Sequence, residues 1–173
     1  IDIIDIGGGG SRDIRSTFSE KWGIRDFYAE YPYLYALNDF GLVTVDINNL
    51  QFPVSIGVNY EILDATVLAK NGDIIWIGAG KNLMAMNVRN LDSPTLINQY
   101  RFAHNILDME IKDDRLYLAL GAGGVSIMDV SSPTRISELD TIIPNLVVYD
   151  LALDQDYIYL ALGRDGWMIY QYN

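Results

Sequence analysis

Four aspartates recur along this chain, each closing an aliphatic–x–Asp step: Ile24-Arg25-Asp26, Ile62-Leu63-Asp64, Ile106-Leu107-Asp108 and Val148-Tyr149-Asp150. Carboxylates brought together can gather a hard divalent cation such as Ca²⁺, which takes several oxygen ligands. They can also divide the acid and base roles of a hydrolytic site. Asp26, Asp64, Asp108 and Asp150 are therefore the candidate metal ligands. The competing role is structural, since a carboxylate can accept backbone N–H groups from a neighbouring element and fix its register. Repetition of the step favours the structural role, because a functional site usually breaks symmetry.

Other chemistry-bearing residues offer less. His104 is the only histidine, so a metal triad would need carboxylates to complete it. A Ser–His–Asp arrangement would need Ser131 or Ser132 to approach it. It reads as a loop or interface residue. Asp5, Asp46, Asn87 and Asp129 precede turn residues such as Asn48-Asn49 and Ser131-Ser132-Pro133, and read as side chains that close turns. Gly7-Gly8-Gly9-Gly10-Ser11 lacks the Lys-Ser/Thr and the following helix of a phosphate loop, and reads as a flexible connection. Tyr31, Tyr33, Tyr149, Trp167 and Tyr170 could form a sugar- or peptide-binding face, although aromatics at fixed strand positions more often pack between sheets.

The elements that position these residues come from a repeat. One strand pattern recurs as GLVTVDI from Gly41, NLMAMNV from Asn82, GVSIMDV from Gly124 and GWMIYQY from Gly166, with starts 41, 42 and 42 residues apart. A partial copy, IDIIDI, opens the chain. Before each full copy runs an aromatic-centred strand whose ring recurs as Tyr35, Trp76, Tyr117 and Tyr159, at intervals of 41, 41 and 42. The aliphatic–x–Asp strand precedes that one across a polar turn. A Pro-bearing linker (Pro53, Pro94, Pro133) leads to a weaker fourth strand near 54–60, 95–102 and 134–141.

Short alternating segments rich in β-branched and aromatic residues, punctuated by Gly, Asn, Asp and Pro, describe strands. A period in the low forties with four such strands marks a β-propeller blade. The expectation is an all-β fold of about four four-stranded antiparallel blades plus a partial one. Residues 1–22 would form the partial preceding blade and Gly-rich connection, and blades would span roughly 23–60, 61–104, 105–146 and 147–173. Inner strands are expected near 24–29, 62–68, 106–111 and 147–153. Motif strands are expected near 42–47, 83–88, 125–130 and 167–172. Tyr35, Trp76, Tyr117 and Tyr159 form the expected repeat core, buried between adjacent blades.

The strands GLVTVDINN, with Pro53 downstream, and GVSIMDVSSP at 124–133 resemble the LVIVD repeat, named for its Leu-Val-Ile-Val-Asp strand. The resemblance covers roughly residues 24–172. It weakens at the copies where Asn87 and Gln171 replace Asp. This resemblance implies a propeller of the kind found mostly in bacterial and archaeal surface proteins, and an extracellular or cell-surface setting. It implies no shared catalytic residue.

Composition narrows the roles. Half the residues are hydrophobic and net charge is −11, which disfavours nucleic acid and anionic membrane because both need Lys and Arg to displace counterions. An acidic surface suits a protein partner or divalent cations. Without cysteine, disulfides, thiolate catalysis and thiolate metal sites are excluded. No apolar run reaches the ~20 residues of a membrane span. The resulting expectation is a non-catalytic, surface-exposed structural or protein-interaction module in a larger assembly, without a cofactor. The alternative is a propeller enzyme or carbohydrate-binding unit that uses the channel carboxylates with a metal ion such as Ca²⁺. The motif strand at 1–6 has no inner strand before it, so ring completion by further chain or by a second copy is also expected.

Overall fold

The computed structural model describes residues 2–4, 14–17, 23–142 and 146–171, the first two stretches through their backbone alone. β1 (Asp2–Ile4) and β2 (Ile14–Thr17) pair antiparallel as a sheet of their own. Asp5 and the Gly7–Ser11 run lie outside the described residues.

A four-stranded antiparallel sheet follows, made in chain order by β3 (Ile24–Glu30), β4 (Tyr33–Asn38), β5 (Gly41–Asp46) and β6 (Val54–Asn59). The second has β7 (Ala65–Asn71), β8 (Ile74–Ala79), β9 (Asn82–Asn87) and β10 (Thr95–Arg101). The third has β11 (Asp108–Lys112), β12 (Arg115–Ala119), β13 (Val125–Asp129) and β14 (Ser137–Ile142). The fourth has three strands, β15 (Asp150–Leu153), β16 (Tyr157–Ala161) and β17 (Trp167–Gln171). Among the described residues there is no α-helix, only a 3-10 turn at Gly163–Asp165. Each sheet is one propeller blade.

Local chemistry explains the regularity. The first hairpin turn needs a left-handed residue, supplied by Gly72 (φ +55°) in the second blade and by Asp113 (φ +54°) at the matching place in the third. In the first three blades the pairing of third and fourth strands slips by one residue, at Thr44/Val45, Leu96/Asn98 and Ile127/Met128. Such bulges bend and twist the outer strand. Gly57, beside the first bulge, has no room for a side chain: a Cβ there would lie 1.9 Å from the carbonyl oxygen of Leu91 in the next blade's linker.

Blades stack through their faces, with β7 beside β3, β11 beside β7 and β15 beside β11. Each junction has its own core. Tyr35, Leu37 and Leu42 meet Leu68, Ile75, Ile77 and Met86. Trp76, Leu83 and Ala85 meet Met109, Leu116, Leu118 and Met128. Tyr117, Val125 and Ile127 meet Leu151, Ile158 and Leu160. A blade thus has an aromatic-bearing trailing face and an aliphatic leading face, and neither can be buried by one sheet alone.

Three inner strands begin later than expected: the third at Asp108 instead of 106, the fourth at Asp150 instead of 147, and the second shifted whole. That second strand runs 65–71, three residues later than 62–68. Asp64 therefore precedes the strand, in a turn with φ +59°.

Candidate functional site

Strand register decides which aspartates are equivalent. Asp26 lies opposite Leu37, Asp108 opposite Ala119 and Asp150 opposite Ala161, each two residues before the partner of the central ring. In the second blade Val67 holds that position, opposite Gly78. Asp64 is exposed and outside the ring of equivalent positions, a correction to the four-membered set. The aliphatic–x–Asp step matched in composition, but its distance to the ring did not.

The carboxylates of Asp26 and Asp108 face the next blade. The Leu68 N–H donates to Asp26 Oδ2 at 2.7 Å, and the Leu151 N–H donates to Asp108 Oδ2 at 2.9 Å. Asp26 Oδ1 also accepts from the Phe27 N–H at 2.8 Å. Further polar links join the blades along their hairpin tips. Lys70 pairs with Glu30, the Asn71 amide donates to the Asp113 carbonyl at 3.1 Å, and Lys112 Nζ donates to the Asp154 and Gln155 carbonyls, both at 2.7 Å.

Asp108 and Asp150 make the one close pair of the candidate set. Burial, and after it the hydrogen bond shared with Asp150, push the Asp108 carboxyl up to about 7, against the Leu151 N–H, which favours the ionised form. Glu110, on the same strand, is also raised, by burial and by the charge of Asp150. Two carboxyls sharing one proton can donate and accept at neutral pH. Among the described residues no three His, Cys, Asp or Glu side chains come together to hold a metal ion.

The remaining candidates do not join this pair. Asp46, Asn87 and Asp129 accept the N–H two residues on, from Asn48 (2.7 Å), Arg89 (2.8 Å) and Ser131 (2.9 Å). His104 is exposed in the loop before β11 and packs against Gly123, where a Cβ would meet its ring at 2.8 Å.

The fourth blade breaks the pattern of the other three. Tyr35, Trp76 and Tyr117 are 4%, 1% and 2% exposed, whereas Tyr159 is 39% exposed. Its burial between blades was the expectation, and it fails because no blade among the described residues covers it. Instead its hydroxyl donates to Asp154 Oδ2 at 2.7 Å. Trp167, in register with the buried Leu42, Leu83 and Val125, is 74% exposed, and Ile169 beside it is exposed too. Together with Ala152, Ala161 and the edge of Asp150 they line an open apolar groove. Sequence reasoning listed Trp167 among possible contact aromatics but did not single out this face.

No family model matches this chain, and no curated protein matches it. Solved structures do match. The computationally designed Ika4 protein superposes with a TM-score of 0.70 at 11% identity, over 91% of this chain and 96% of that one. BamB from Moraxella catarrhalis gives 0.67 at 13% identity, over 84% of this chain and 42% of its own. A chain of the Mitotic Checkpoint Complex gives 0.70 at 12%, over 86% and 49%. These likenesses, with the blade register described above, make the chain a β-propeller. It spans less than half the length of the BamB and checkpoint chains, and nearly all of the designed one.

Proposed function

We propose that this chain is a non-catalytic propeller of the LVIVD-repeat type, displayed outside the cell or on its surface, and serving as a structural or protein-interaction module in a larger assembly. The observation that carries the reading is the open apolar face of Tyr159, Trp167 and Ile169, a surface of the kind that marks protein contact. The use of Asp26 and Asp108 as acceptors for the next blade supports a structural role for the carboxylates. Two fold neighbours support the general class: BamB, and a chain of the Mitotic Checkpoint Complex, which is by its description an assembly. The net charge of −11 disfavours nucleic acid as the partner. Among the described residues no helix is long and apolar enough to cross a membrane.

A second reading has one observation in its favour. The proton-sharing Asp108–Asp150 pair could serve a propeller enzyme or a carbohydrate-binding unit that holds a metal ion. Calorimetric titration of the chain with Ca²⁺ separates the two. The proposed role expects no stoichiometric heat. A stoichiometric site abolished by Asp150→Asn establishes the second reading instead. For location, protease treatment of intact source cells should remove the chain; full protection would contradict surface display.

A further inference from the structure

The cleft between the second and third blades departs from the repeat, and both its walls belong to successive blades of this chain. Its third-blade wall carries Ser126, Glu138 and Thr141. Ser126 lies opposite Leu118 and Thr141, and Glu138 opposite Met128, so all three sit on the face that meets Trp76. Ser126 is fully buried, and its hydroxyl donates to Glu138 Oε1 at 2.7 Å. The Thr141 hydroxyl donates to the same oxygen at 2.8 Å. Two donors thus fix the carboxylate, while Oε2 accepts from none of the described residues. The facing wall holds Tyr100 and Phe102, whose ring centroids are 4.8 Å apart at 54°. Together they border an open cleft of about 340 Å³. We propose that this cleft receives a basic side chain, Lys or Arg, from a protein partner, with Glu138 Oε2 as the acceptor and the Tyr100–Phe102 pair beside the cation. The inference rests on the protein-interaction reading and adds a second, charge-selective contact to the apolar face.

The fold does not require this polar set. Val43, Met84 and Met168 hold the place of Ser126 in the other blades. Between the first and second blades, Leu96 and Gln99 stand where Glu138 and Thr141 do, and Asn59 replaces Tyr100, so that junction has neither carboxylate nor ring. The chemistry of the occupant follows from the walls. Arg101 also borders the cleft, but it lies opposite Asn82 while Tyr100 lies opposite Leu83. Its side chain therefore belongs to the other face, where the guanidinium donates to Asn82 Oδ1 at 3.1 Å. That leaves the Glu138 carboxylate as the charge turned into the cleft, and its exposure lets an incoming side chain reach it. Aromatic faces attract Lys and Arg through the ring quadrupole and cover their methylene stems. A net charge of −11 draws a basic partner and repels an acidic one. One carboxylate is too few ligands for Ca²⁺, which takes several oxygens.

The test titrates the isotope-labelled chain with an acetylated and amidated Gly-Gly-Arg-Gly-Gly peptide, with its lysine counterpart, and with a neutral counterpart carrying citrulline. Nitrogen–proton correlation spectra follow the amides of Tyr100, Phe102 and Thr141. The arginine or lysine peptide should shift these amides saturably, the tighter of the two naming the side chain, and the citrulline peptide should not. Glu138→Gln keeps an oxygen for the Ser126 and Thr141 hydroxyls, so the fold stands, and it should weaken binding about fivefold. Asp140→Asn removes a carboxylate from the other face of the same strand and should leave binding unchanged. No saturable shift with either basic peptide overturns the proposal, as does equal binding by the parent and Glu138→Gln. An equal loss in Asp140→Asn overturns it as well, by assigning the effect to overall charge. Citrulline bound as tightly as arginine does the same, and makes the cleft a site for neutral hydrogen-bonding ligands. Each of these failures leaves the non-catalytic reading standing, because that reading falls only to the Ca²⁺ titration.

Discussion

Replacing Asp26 by alanine probes the junction between the first two blades, and Asp150 supplies an internal control. Both residues hold the same place in their blades, but among the described residues only Asp26 bonds a following blade. Loss of Asp26 removes a 2.7 Å bond from the Leu68 N–H to a carboxylate, and Leu68 is buried, so water cannot readily replace the acceptor. Hydrogen bonds to charged groups contribute about 1.5–3 kcal/mol, and an orphaned buried donor costs a similar amount. The 2.8 Å bond from Phe27 N–H is lost too, but Phe27 is exposed and water can take its place. Asp26→Ala should therefore cost about 2 kcal/mol, a fall of roughly 1 M in urea midpoint for a slope near 2 kcal/mol per M. Asp150→Ala loses no bond to a following blade; it gives up only its exposed hydrogen bond with Asp108 and should cost under about 1 kcal/mol, less than Asp26→Ala. Urea unfolding followed by far-UV circular dichroism measures both. Equal effects at the two sites would refute the claim that inner aspartates act by bonding the following blade.

Three other outcomes follow from the same geometry. Trp76, almost fully buried between the second and third blades, should cost about 3–5 kcal/mol when cut to alanine, while Tyr159→Ala should lower the melting temperature far less; comparable losses would contradict the open face. Thr44 Oγ1 is buried with no hydrogen-bond partner among the described residues, so Thr44→Val should stabilise the chain by about 1 kcal/mol in the same urea assay. Asp108 has its folded pKa raised from 3.8 to about 7, so the folded state binds the extra proton. Its contribution is complete below about pH 4 and lost as pH rises through 7. Asp108→Asn mimics the protonated form, facing Asp150 and Glu110, and should flatten that part of the melting-temperature profile; an unchanged slope would count against it.

Much of the fold was legible because a propeller writes its architecture into a period. The motif strands begin within a residue of their expected starts, since each has a Gly or Asn turn before it and Asp, Asn or Gln near its end. The inner strand of the second blade was misplaced because Ile62-Leu63-Asp64 has the right residue types in the wrong place. Asp26, Asp108 and Asp150 each stand nine residues before the ring, and nine before Trp76 is Val67. That spacing was in the sequence and outranks the tripeptide. The exposure of Tyr159 and Trp167 was not legible, because their residue types fit a buried position and no blade among the described residues covers them. The Asp108–Asp150 pair also escaped reading. It joins residues 42 apart on different blades, and its shared proton depends on burial that spacing alone does not reveal.

The central claim is that the inner carboxylates of Asp26 and Asp108 tie their blades to the next and do not serve a metal. Amide hydrogen exchange at Leu68 and Leu151 tests it most directly, since these two N–H groups are the donors. Both amides should exchange slowly in the parent chain, each should be released only by removal of its own acceptor, Asp26 or Asp108, and neither should respond to added Ca²⁺. Fast exchange in the parent chain, or protection that changes with Ca²⁺, would contradict the account.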